Sequence, residues 1–238
     1  MNRRFVTTRW SLVVAASDRQ NKATRAALNE LCRLYWFPIY AFARRRGADT
    51  ESAKDLTQGF FLHLIDHNSV DRANAQRGRF RTFLLACFKN FAAKEHGKQR
   101  AAKRGGDAIH LDWDLARAEE RLAAASEAHA TPEQLYLQYW ARTVLDEATN
   151  QLRVTYQDRG KAKLADALIP MLTGSATSPA EAAAQLSMSE GATRVALHRL
   201  RRRFGDSLRA TVAETVVEPA DVDSEIRELL ALSQSGST

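Results

Sequence analysis

Apolar residues recur at intervals of three and four along almost the whole chain, and no run keeps the two-residue alternation of a strand. The pattern predicts an all-α protein. Ala27, Leu28, Leu31, Leu34, Tyr35, Ile39 and Phe42 form one such face and predict a helix over residues 22–46, which Pro38 is expected to kink and Gly47 to end. Ala53, Leu56, Phe60, Phe61, Leu64 and Ile65 predict a second helix beginning at Asp49 or Thr50. A polar stretch at 67–78 reads as a loop. Phe80, Phe83, Leu84, Cys87, Phe88 and Phe91 then predict a long helix over 80–104, stopped by Gly105-Gly106. Shorter helices are expected around Trp10, Leu12 and Val13, over 134–152 and 161–172, and in a tail at 222–232.

The segment 178–203 carries the most specific local signals. Ser178 suits an N-cap, Pro179 the first helical position, and Glu181 the third residue of a capping box. Ser187-Met188 breaks this small-residue helix and Ser189 caps another. Along that second helix Thr193, Leu197 and Leu200 share one face, while Arg194, His198, Arg201 and Arg202 lie around the other. Two helices joined by a tight turn, the second basic, describe a helix-turn-helix that presents its second helix to a DNA major groove. An ordinary helical hairpin with a solvated basic face is the alternative.

Charge sharpens the picture. The 238-residue chain has a net charge of +7, which favours a polyanionic partner. Between Arg72 and Arg104 ten Lys or Arg stand against one acid, Glu95; between Asp107 and Gln134 seven acids stand against Arg117 and Arg121. Two basic blocks separated by an acidic one suggest two nucleic-acid contacts and a connector that avoids them. The expected organisation is two small helical domains, 1–105 and 131–216, joined by an acidic linker at 106–130 and followed by a tail at 217–238.

Cys32 and Cys87 have no partner at metal-ligand spacing and read as reduced core cysteines. The apolar run at 12–16 is too short for a signal-peptide core, and no stretch approaches a membrane span, so a cytoplasmic protein without membrane insertion is expected. No Gly-rich phosphate loop, nucleophile elbow or metal-binding histidine pair is present, so no catalytic residue, metal or cofactor is assigned. The acids Asp112, Asp114, Glu119 and Glu120 could be imagined as a nuclease metal site, but no companion base stands at a persuasive spacing.

Asp55-Leu56-Thr57-Gln58-Gly59-Phe60-Phe61 resembles the Asp-Leu-Val-Gln-Glu-Thr-Phe signature of bacterial extracytoplasmic-function sigma factors of the sigma-70 family. Phe80-Arg81-Thr82-Phe83-Leu84 and Lys89-Asn90 resemble that family's promoter-melting segment, and Ser189-Glu190-Gly191 with Leu197-His198-Arg199 the start of its recognition helix. Gly59 departs from the usual glutamate. The resemblance implies a promoter-specificity subunit whose partners are core RNA polymerase and promoter DNA, with an anti-sigma factor or other regulator as a further partner. Asp55 and Gln58, three apart on one helix, would face the polymerase. Arg77, Arg79, Arg81, Lys89, Asn90, Lys94, Lys98 and Arg100 would hold the melted −10 element, with Asn90 a candidate reader of an unpaired base. Ser189, Glu190, Arg194, His198, Arg201 and Arg202 would contact the −35 element. The rival readings are a stand-alone helix-turn-helix regulator and, more remotely, a helical nuclease.

Overall fold

The structure, a computed structural model, describes residues 22–66, 79–99, 114–123, 130–172, 177–213, 215, 216 and 218–234. Among these residues there are nine α-helices and no strand. They are α1 (Lys22–Arg45), α2 (Thr50–Asp66), α3 (Phe80–Gln99), α4 (Leu115–Ala123), α5 (Pro132–Asp158), α6 (Ala162–Leu168), α7 (Pro179–Leu186), α8 (Glu190–Ala213) and α9 (Val222–Gln234). The expected helix around Trp10, the loop at 67–78, and the positions of Arg77, Arg100 and Asp112 lie outside the described residues.

The chain divides into two compact units, one made of residues 1–143 with 213–238 and the other of residues 144–212. In the first, α1 stays helical through the buried Pro38. It ends where Gly47 takes a φ of +95°, a left-handed cap that costs glycine no Cβ clash, and the Ala48 N–H returns to the Ala43 carbonyl at 3.2 Å. Asp49 then starts α2 by accepting the Ser52 N–H at 2.8 Å. The core between α1, α2 and α3 is aromatic. Phe88 meets Phe60 at 5.2 Å and Phe42 at 6.0 Å, both edge to face, and Tyr35 meets Phe80 at 5.3 Å. Such pairs add roughly 0.5–1.5 kcal/mol each beyond the area they bury. Of the periodic face expected on α3, Phe80, Leu84 and Phe88 are buried and Phe83, Cys87 and Phe91 half-buried; Leu85 joins the buried set.

Three further pieces complete this unit. The acidic segment, expected as a linker held away from DNA with at most a loose helix, contributes α4, which docks. The Glu119 carboxylate accepts both Nε (2.8 Å) and Nη2 (2.9 Å) of Arg44 and the Tyr40 hydroxyl at 2.5 Å, while Arg121 lies 4.2 Å above the Phe37 ring. The start of α5 brings Leu135, Tyr136, Tyr139 and Trp140, all fully buried. Helix α9 returns from the far end of the chain and pairs its acids with α3. By contact, then, the units meet at 143/144 and 212/213.

The second unit holds the rest of α5 with α6, α7 and most of α8. Leu152 and Tyr156 pack with Leu168, Ile169, Ala182, Leu197 and Leu200, with Phe204 against their edge. The capping box at α7 is complete: the Ser178 hydroxyl accepts the Glu181 N–H, and the Glu181 carboxylate accepts the Ser178 N–H at 2.7 Å. Ser187 closes α7 in the left-handed conformation, φ 52°, and the Ser189 hydroxyl caps α8 by accepting the Ala192 N–H at 3.2 Å.

Candidate functional site

Three surfaces matter. On α2, Asp55 is exposed but Gln58 is buried, so the polar face expected of the pair is split and only Asp55 is presented outward. Helical geometry explains it. Residues three apart are offset by about 60° around the axis, and that offset carries Gln58 away from Asp55 toward the side of the buried Phe61. Gly59 has a reason of its own: a Cβ there would stand 3.3 Å from Cζ of Phe91. The aromatic ring of Phe91 on α3 lies where a side chain leaving α2 at this position would start.

On α3, Lys89, Asn90 and Lys94 are exposed opposite the buried aromatics. Lys89 donates to Glu133 at 2.6 Å and sits 5.5 Å over the Phe42 ring; hydrogen bonding to this lysine holds the Glu133 carboxyl below the usual glutamate range. Both partners of that pair are about two-fifths exposed, so it is weak and exchangeable. Beside it a cavity of about 410 Å³ is lined by Phe42, Arg46, Asp49, Leu56, Phe88 and Lys89. Lys98 continues α3, and its side chain lies outside the description.

Arg79 and Arg81 differ from the expectation of free, DNA-facing cations. Arg79 binds Glu225 at 3.0 Å and also pairs with Glu228. Arg81 is only 2 % exposed, lies 4.4 Å over the Trp140 ring, and pairs with Glu225 and, at 2.5 Å, with Glu228. Burial lowers the Arg81 pKa to about 10, with the Arg79 charge adding to the effect. The Arg81 carbonyl accepts the buried Tyr136 hydroxyl at 2.9 Å. The reason for the difference is α9, whose carboxylates the local sequence around Arg79 cannot announce.

On α8, Thr193, Leu197 and Leu200 face the core, while Ser189, Glu190, Arg194, His198, Arg201 and Arg202 are all exposed. Arg194 reaches back to Glu190 at 3.3 Å, an exposed pair one turn apart. Arg203, the residue after Arg202, turns inward over Tyr156 at 5.3 Å.

Residues 37–102 match the Sigma-70 region 2 family. The match takes in the last nine residues of α1 and all of α2 and α3, a little over a quarter of the chain. Over that segment the chain is similar to region 2 of the sigma-70 family. No curated protein and no solved structure matches. None of the described helices is long and apolar enough to cross a membrane.

Within the region 2 segment, sequence reasoning missed Arg46, 6.0 Å from the Phe42 ring and on the rim of the cavity. Its only signal was its place in the Arg44-Arg45-Arg46 run. On α8 it missed Val195, 51 % exposed beside Arg194. An apolar side chain on the outward side of a basic helix was the available clue.

Proposed function

We propose that the chain is a promoter-specificity subunit of the extracytoplasmic-function type, which binds core RNA polymerase, recognises a −35 element through α8 and captures the melted −10 element on α3. One observation carries the reading: within the region 2 match, a rigid aromatic core fixes an exposed row of Lys89, Asn90 and Lys94 on α3. Lysines so placed neutralise backbone phosphates, and the asparagine offers an amide to an unpaired base edge. The Lys89–Glu133 pair is no barrier, since two half-exposed groups exchange readily for a phosphate. Asp55 contributes to the polymerase-binding surface of α2. The second unit supplies the duplex contact, with Arg194 near the start of α8 where base edges are reached and Arg201 and Arg202 on phosphates further along. The protein performs no chemistry of its own. The catalysis belongs to the polymerase.

The test is promoter opening. In holoenzyme, replacing Lys89, Asn90 and Lys94 together with alanine is expected to leave duplex −35 binding nearly intact and to reduce permanganate reactivity of −10 thymines. Opening equal to wild type would reduce the row to a solvated helix face.

A further inference from the structure

The acids on α9 are spaced as partners for α3. Glu225 and Glu228 lie one turn apart, and each bridges both Arg79 and Arg81. Arginine forks bind carboxylate and phosphate by the same bidentate geometry, so the cluster occupies a site that would equally take a phosphate. The site's position strengthens the point. Arg79 precedes α3 and Arg81 lies in its first turn, where α3 has no acidic residue. Cations at a helix N-terminus oppose the helix dipole and need an anion beside them. Here α9 brings it.

The buried part of α9's attachment is one carboxylate and one apolar side chain, with Val222, Ile226 and Leu232 half-buried. Of its 13 residues only Glu225 and Leu229 are buried, and Leu229 is the sole apolar one. A helix this short is marginal in water without its docking contacts, so it is among the elements that open most easily. Arg81 keeps its place through Trp140 and Tyr136, neither of which belongs to α9. Arg81 would therefore stay in place after α9 left, with Arg79 two residues before it.

We propose that Arg79 and Arg81 form a phosphate-binding site for single-stranded DNA that α9 masks from within the same chain, and that the strand displaces α9 when it binds. Glu225 and Glu228 stand where two backbone phosphates would sit. This rests on the reading of α3 as the strand-capturing helix, and it makes α9 a gate on that helix. The masked state weakens grip on DNA by the full chain; strand binding and release of α9 are then one exchange of anions.

The experiment uses the full-length chain assembled with core RNA polymerase and a fluorescein-labelled thymidine single strand. Glu228→Gln removes the half-exposed carboxylate and leaves Glu225 in place. It is expected to tighten strand binding about two- to fivefold, the change that loss of such a pair allows. Hydrogen exchange on the wild-type assembly supplies a second measurement that needs no variant: amides of residues 222–234 are expected to lose protection when the strand is added. Strand binding that leaves those amides protected, with Glu228→Gln unchanged in affinity, would make α9 a fixed brace and overturn the proposal while sparing the strand-capture reading. If wild type and variant both fail to bind the strand, the two fall together.

Discussion

At Gly59 a single missing side chain records a packing choice between α2 and α3. The tip of Phe91 stands 3.3 Å from where a Cβ would be. Placing glutamate here, as in the signature this segment resembles, removes a helix glycine, a gain of up to ~1 kcal/mol. It also overpacks a contact whose disruption costs roughly 1–3 kcal/mol. Gly59→Glu is therefore expected to lower the urea midpoint, and a midpoint equal to or above wild type would show that Phe91 simply swings aside. On α8 the decisive residue is Arg194, exposed and held only by a one-turn pair to Glu190. If it reads guanine through a bidentate contact, Arg194→Ala should cost about 1–3 kcal/mol and relax preference at one base pair. Equal loss on every sequence in a binding titration would assign it to the phosphates, beside Arg201 and Arg202.

The elements show which signals in the chain carry structure. Helices α2, α3 and α7 start where Asp49, Phe80 and Ser178 place them, because a cap or an apolar period acts within one or two turns. Docking between distant segments has no such local mark. The acids of the 106–130 segment look like a solvated connector, yet Glu119 is clamped by Arg44 and Tyr40 from more than seventy residues earlier. Glu225 likewise gives no sign of its partners. For the same reason the exposed cations of α3 and α8 were legible as a candidate site, whereas the masking of Arg79 and Arg81 was not. The α4 clamp should respond to pH in a defined direction. The Arg44 hydrogen bonds hold the Glu119 carboxyl below its ordinary value of 4.5. A lowered carboxylate pKa stabilises the fold above the ordinary value, and that stability is lost as pH falls through the lowered one. Wild type is expected to lose more stability than Glu119→Gln between pH 5 and acid, by up to ~1 kcal/mol for a pair this exposed. Parallel curves for the two in denaturant titrations across that window would show that the clamp carries no net stability.

For the whole molecule, the region 2 match, the aromatic three-helix core and the basic α8 all fit a polymerase subunit that chooses promoters. A stand-alone regulator would need α8 but would give no role to Asp55 or to the exposed row on α3. The measurement that separates them most directly is binding of the full-length chain to purified core RNA polymerase, followed by transcription from genomic fragments with start sites mapped. The account requires a stable complex, initiation at discrete sites absent with core alone, and weaker core binding by Asp55→Ala with an unchanged circular dichroism spectrum. A folded chain that binds duplex DNA but neither associates with core polymerase nor redirects its start sites would contradict it.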